Sequence, residues 1–122
     1  MSGVFMDQSV EIICVGNELL IGKTLNTNAQ WLTKRVTTLG LTTRRVTVVG
    51  DNIDEISCAI NEAIQRIPSF ILTTGGLGPT FDDKTLEGLA KALGRRIEVN
   101  EEALKMVKEK YLSYVQEGRM EV

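Results

Sequence analysis

Histidine is absent from the 122 residues. Zinc sites built on imidazole, Ser-His-Asp triads and Cys-His dyads are therefore excluded. Only two cysteines occur, Cys14 in an apolar run and Cys58 in a helical pattern; the burial habit of free cysteine predicts two buried, reduced thiols. No apolar run approaches the ~20 residues of a membrane-spanning helix, and the polar stretch from Met1 to Ser9 carries no signal-peptide pattern. Basic runs are equally short. None exceeds two residues, as at Arg44-Arg45 and Arg95-Arg96, and 14 basic against 16 acidic residues leave a net charge of −2, which argues against nucleic-acid binding. The expectation is a cytoplasmic domain with a small-molecule ligand and neither nucleic acid nor membrane as partner. Its chemistry must come from carboxylates, hydroxyls, amides, lysine, backbone dipoles or a bound metal.

What remains is a globular composition, 43% hydrophobic and 25% charged, in a chain of single-domain length. Short apolar runs alternate with amphipathic stretches. Val10 to Val15 reads as a strand, apolar at both parities through Ile12, Ile13, Cys14 and Val15, as burial on both faces requires. Leu25, Ala29, Leu32, Val36 and Leu39 recur at helical spacing, with Asn26 or Thr27 as cap and Gly40 as the terminating glycine. Thr42 to Val49 is a β-branched second strand, and Asp51-Asn52 can cap a helix whose buried face is marked by Ile53, Ile56, Ile60, Ala63, Ile64 and Ile67. Pro68 stops it. Phe70 to Thr74 is the third strand. Leu86, Leu89, Ala90 and Leu93 mark a further helix ended by Gly94, Ile97 to Val99 a short strand, and Asn100 caps a last helix carrying Leu104, Val107, Tyr111 and Tyr114. Strands separated by helices predict a parallel sheet covered on both faces. Residues 1–122 read as one domain, incomplete at its C-terminal end because nothing after the last helix closes the sheet.

Ligands of open parallel sheets bind beyond the carboxyl ends of the strands. Those positions hold Gly16, Asn17 and Glu18 after strand one, Gly50, Asp51 and Asn52 after strand two, and the segment Thr74-Gly75-Gly76-Leu77-Gly78-Pro79-Thr80 followed by Asp82 and Asp83 after strand three. Glycines between a strand and a helix let backbone N–H groups approach an anion, and the helix start adds its partial positive charge. The segment is neither a P-loop nor a G-x-G-x-x-G fingerprint. Phosphate binding and a tight turn that merely packs helix on strand both fit. Asp82 and Asp83 likewise have two readings. Thr80-x-x-Asp83 fits a capping box; alternatively, the acidic pair beside an anion cradle would hold a divalent cation such as Mg²⁺, which typically uses one or two carboxylates plus ligand phosphates. Glu18 and Asp51 would complete or support that site. Glu18 also reads as a simple loop charge, Asn28 as either a cap or a partner for a heterocycle, and Trp31 as peripheral packing or a subunit contact rather than a stacking surface.

Gly16-Asn17-Glu18-Leu19-Leu20-Ile21-Gly22-Lys23 through Asn26-Thr27-Asn28-Ala29-Gln30-Trp31-Leu32, together with Thr73-Thr74-Gly75-Gly76-Leu77-Gly78-Pro79-Thr80 and Asp82-Asp83-x-Thr85, resembles the N-terminal domain of CinA-like (competence/damage-inducible) proteins. Val48-Val49-Gly50-Asp51-Asn52 fits between these segments. The resemblance covers about residues 10 to 100 and extends to the molybdopterin-binding domain of molybdenum-cofactor biosynthesis proteins. It implies a three-layer α/β/α sandwich with a mostly parallel sheet, of the MogA/MoaB-like type, often a homo-oligomer (dimer or trimer). It implies a pterin or nucleotide ligand with phosphate on the glycine loop, contacted by Gly16, Asn17, Glu18, Thr74, Gly75, Gly76, Gly78, Pro79, Thr80 and Thr85. By motif, the two aspartates central to molybdopterin adenylation fall on Asp51 and Asp83, with Asp83, Asp82 and Asp51 toward the metal. The CinA-like branch implies metal-dependent hydrolysis of a nucleotide pyrophosphate such as ADP-ribose; molybdopterin adenylation and ligand binding without turnover are the alternatives. The sequence departs from its relatives at Phe81, where they often carry a polar or basic residue, and lacks their proline- and glycine-rich segment after the last helix. The resemblance does not extend to the nicotinamide-mononucleotide deamidase domain of longer CinA proteins, so that activity is not expected of residues 1–122.

Overall fold

The computed structural model of the chain describes residues 8–118. Most of the polar N-terminal stretch and residues 119–122 lie outside them. In chain order the elements are β1 (Ser9–Val15), α1 (Asn17–Leu20), α2 (Thr27–Thr38), β2 (Thr42–Val49), α3 (Ile53–Gln65), β3 (Phe70–Thr74), α4 (Thr85–Leu93) and α5 (Glu101–Gln116). The sheet is parallel throughout, in the order β2-β1-β3. This is the expected α/β arrangement, with helices on both faces.

The central strand explains the layering. All seven residues of β1 are buried. Alternate side chains face opposite ways along a strand, and two apolar clusters result. Ile13 and Val15 pack with Ile56, Ala59, Ile60 and Ala63 of α3, flanked by Leu89 and Ala92 of α4. Val10, Ile12 and Cys14 pack with Ala29 and Val36 of α2, flanked by Leu19, Leu32 and Leu72. Full burial of an Ile or Val side chain contributes about 1.5–3 kcal/mol, so β1 anchors both layers. Glu11 is the polar exception. It shares the α3 side, 3% exposed, and its carboxylate accepts two hydrogen bonds from Arg66 at the end of α3, from Nε at 2.8 Å and Nη2 at 2.7 Å. Burial costs a carboxylate much of its hydration, and this bidentate pairing offsets that loss.

Local chemistry sets the helix starts. Asn26 accepts from the Ala29 N–H, Asn52 from Glu55 and Asn100 from Ala103. Gly40 and Gly94 end α2 and α4 at φ 81° and 63°, conformations that other residues adopt at a cost.

Several expectations need correction. Ile97 to Val99 forms no strand; β-branched residues need a free strand to pair with, and the chain has already left the sheet. Cys14 is buried, but Cys58 is exposed, lying between Ile56 and Ile60 on the outer side of α3. Ile64 is 41% and Ile67 83% exposed, because α3 ends at Gln65 and Ile67 lies beyond it with φ 52°. On α2 the stripe holds at Ala29 and Val36, while Leu25 and Leu39 are exposed. On α4 the buried positions are Thr85 and Gly88 rather than Leu86 and Leu93. Gly88 lies where α4 crosses α3; a β-carbon there would collide with Ile56. No residue of α5 is buried.

Candidate functional site

Register aligns the strand ends. Val15 pairs with Val49 and Cys14 with Thr74, so the turns after all three strands leave one edge of the sheet. The first two turns are tied together. The Asn17 N–H donates to Asp51 Oδ2 at 3.2 Å, and the Asp51 N–H donates to Asn17 Oδ1 at 2.9 Å. This reciprocal ring requires a small residue at Gly50, where a β-carbon would lie 2.5 Å from Asn17 Oδ1. Glu18, on the short helix α1, folds its carboxylate back over Gly16.

The third turn is held from below. Gly75 and Gly76 adopt φ 88° and 65°. A β-carbon at Gly75 would strike the Val15 carbonyl oxygen, and one at Gly76 the Thr85 hydroxyl, each closer than the 3.0 Å that β-carbons observe. Buried Thr85 donates its hydroxyl to the Gly75 carbonyl at 2.6 Å and its N–H to the Gly76 carbonyl at 3.2 Å. Packing alone therefore accounts for glycine at 75 and 76. Among the described residues, the N–H groups of Gly75, Gly76 and Leu77 meet no protein acceptor. Open amides of this kind suit an anion.

The end of the loop is different. Asp83 Oδ2 accepts from the Thr80 N–H at 3.0 Å and from its hydroxyl at 2.5 Å. These bonds, first the Thr80 hydroxyl and then the Thr80 and Gly78 N–H groups, hold the Asp83 carboxyl below the usual aspartate range against the opposing effect of burial. Asp82 Oδ1 lies 2.7 Å from the same hydroxyl. One hydroxyl has a single proton, so the two carboxylates compete for it. The capping-box reading is half right: the reach back to the Thr80 N–H is present, but α4 begins at Thr85 and the motif closes a turn ahead of it. Phe81 is 88% exposed, with the Lys84 ammonium 4.9 Å from its ring centre.

Two hollows flank the loop. One, about 140 Å³, opens between the ends of β1 and β3 and the start of α2; Glu18, Thr24, Asn28, Thr74 and Gly75 are in its wall. Asn28 Nδ2 donates to the Thr74 hydroxyl at 3.2 Å across it. The other, about 270 Å³, is bordered by Gly76, Gly78, Pro79, Thr80 and Asp83. Asp51 lines neither. Glu18 is thus grouped with Gly75, and Asp83 with Thr80. Asp51 is tied to Asn17. No group of three or more acidic or cysteine side chains among the described residues is placed to hold a metal, so the expected metal set of Asp51, Asp82 and Asp83 is not assembled. Sequence reasoning passed over Thr24 and left Asn28 open; the run of polar residues just ahead of α2 is the signal that leads to both.

The comparisons with known proteins bear on the family and the fold. Residues 11–120 match the family described as a probable molybdopterin binding domain. The chain belongs to this family. A protein of Saccharolobus solfataricus is 56% identical over 111 residues, 90% of this chain and 41% of that protein. One of Sulfurisphaera tokodaii is 60% identical over 101 residues, 83% and 38% respectively. The chain thus spans about two-fifths of the length of the curated relatives it matches. Among solved structures, CinA of unknown function from Thermoplasma acidophilum superposes with a TM-score of 0.81 at 44% identity, over 85% of this chain and 61% of that one. The tungsten cofactor synthesizing protein MoaB from Pyrococcus furiosus superposes with a TM-score of 0.61 at 24% identity, over 68% and 51%, which bears on the fold alone. The CinA-like, molybdopterin-binding α/β/α fold read from the motifs is the fold observed. Among the described residues, no helix is long and apolar enough to cross a membrane.

Proposed function

We propose that this domain binds a small anionic pterin or nucleotide, of the molybdopterin class or a nucleotide pyrophosphate, at the carboxyl edge of the sheet. The observation that carries this reading is the set of unengaged amides at Gly75, Gly76 and Leu77 beside a hollow walled by Glu18, Asn28 and Thr74. Amides receive the phosphate or other anionic group. Glu18 and Asn28 supply an acceptor and an amide for the edge of a ring, and Thr85 keeps the loop in place. A thermal-shift screen of pterins and nucleotides, with and without Mg²⁺, tests it. A ligand specific for the folded state at 100 times its Kd stabilises by about 2.7 kcal/mol. A melting temperature unmoved by every member of both classes would sink the reading.

Hydrolysis of a nucleotide pyrophosphate such as ADP-ribose is the second reading. It is favoured by the pair Asp82 and Asp83, which share one hydroxyl, with Asp83 kept ionised by its hydrogen bonds. A cation held jointly by protein and ligand phosphates would use this pair; among the described residues the protein's own donor set does not fit a resident metal. Molybdopterin adenylation would instead show as pyrophosphate released only when ATP and pterin are both supplied. For hydrolysis, Asp83→Asn is expected to abolish turnover while still folding cooperatively, with a somewhat lower melting temperature because the charged partner of Thr80 is gone, and product formation at the wild-type rate would remove Asp83 from the mechanism.

A further inference from the structure

Trp31 is the only tryptophan of the chain and lies 63% exposed on α2. Its environment is concave. Thr27, Asn28, Gln30, Trp31 and Lys34 form a hollow of about 370 Å³. Thr27 and Asn28 are also in the wall of the smaller hollow beside Gly75, so the two share a rim and run together across the start of α2. Lys34 stands one helical turn beyond Trp31 on the same face and forms no ion pair among the described residues. A large flat ring, an unpaired cation and a polar rim leading to open amides match a planar, anionic ligand.

We infer that Trp31 is a stacking platform for the heterocycle of the ligand, with Asn28 at the junction and Lys34 facing its negative charge. This reverses the expectation that Trp31 serves peripheral packing or a subunit contact. The inference rests on the proposed binding site and adds a specificity-determining residue to it. Face-on stacking on an aromatic ring tolerates any flat heterocycle, so adenine and pterin rings both qualify, whereas a sugar phosphate gains nothing.

Because Trp31 is the sole indole, tryptophan fluorescence reports on this position alone. The probes are ADP-ribose, 6-carboxypterin and, as an anion without a ring, ribose 5-phosphate, all in metal-free buffer. ADP-ribose or 6-carboxypterin should quench the emission of the wild-type chain. By calorimetry, Trp31→Ala should weaken that ligand by about 5- to 100-fold, Trp31→Phe should weaken it less, and ribose 5-phosphate should bind wild type and Trp31→Ala alike. A ring-bearing probe that binds wild type and Trp31→Ala equally and leaves emission unchanged overturns the platform but leaves the binding site standing. Ligand-free emission typical of a buried indole, shifting to the red as a sedimenting dimer dissociates, assigns Trp31 to a contact between copies and also overturns it. If none of the three probes binds the wild-type chain, the proposed function falls together with the platform.

Discussion

Gly75 has two separate reasons to be glycine, and they can be measured apart. Its φ of 88° lies in the left-handed region, where a β-carbon costs roughly 1–2 kcal/mol. In addition, that β-carbon would press on the Val15 carbonyl oxygen. The obstacle is backbone of the fully buried central strand, so no rotamer change relieves it, and forced overpacking costs about 1–3 kcal/mol more. Gly75→Ala should therefore destabilise by about 2–5 kcal/mol, a large part of the 5–15 kcal/mol typical of a domain. Two controls isolate the components. Gly94 has φ 63° and nothing within 4 Å of the point a β-carbon would occupy, so Gly94→Ala should cost only the conformational part, about 1–2 kcal/mol. Gly88 has no positive φ but would strike Ile56; Gly88→Ala gains about 0.5–1 kcal/mol of helix preference against a collision of about 1–3 kcal/mol. Urea unfolding of the three variants, at constant m, gives the order. Equal losses for Gly75→Ala and Gly94→Ala would show that the Val15 carbonyl exerts no pressure and that the loop is not seated on β1 as described.

Removing Arg66 as Arg66→Leu leaves the Glu11 carboxylate buried without its partner, so the urea midpoint should fall. Glu11→Leu removes the buried charge itself, so its urea midpoint should fall less, and a larger fall would refute this account of the pair. For Asp83, the folded carboxyl is held below its ordinary value. Its stabilising contribution is complete above the unfolded-chain value and is lost as pH falls through the folded one, hence only in the acid range below ordinary aspartate titration. Thr80→Val deletes the hydroxyl that is the main cause, so Asp83 should titrate at higher pH in carboxyl-carbon NMR; an unmoved titration would mean that the N–H groups alone set it.

Local chemistry was legible in the sequence. Asn26, Asn52 and Asn100 cap their helices because the cap needs only a short side chain and the next three residues. The run Ile12 to Val15 announced a strand covered on both faces for a similarly direct reason. Misjudged positions depend on what lies opposite. Ile64, Leu86 and Leu93 sit at helical spacing, yet three strands offer less sheet than the helices can cover, and the ends overhang. Cys58 was readable after all: two residues from both Ile56 and Ile60, it must point away from them on a helix of 3.6 residues per turn. At the site, the glycine loop and its acidic neighbours were legible as a group. The bond between Asn17 and Asp51 was not, since it joins turns 34 positions apart in sequence.

Asp83 decides how the loop can be used. Its carboxylate accepts from the Thr80 N–H and hydroxyl, and from Gly78, where a β-carbon would lie 2.7 Å from Oδ2. The chain thus places its own anion on the later half of the loop and leaves the earlier amides, at Gly75 to Leu77, open. A phosphate seated on those earlier amides would lie along the sequence from an ionised carboxylate, and repulsion between them is screened only over about 8–10 Å at ordinary ionic strength. Seating both on the loop therefore lowers ligand affinity, and a positive charge between them or a turn of Asp83 away from Thr80 restores it. The hydrogen bonds that lower the Asp83 pKa also resist that turn. Ligand charge, Asp83 ionisation and the Thr80 contacts are therefore one coupled equilibrium, and a binding measurement at a single pH and salt concentration samples only one point on it.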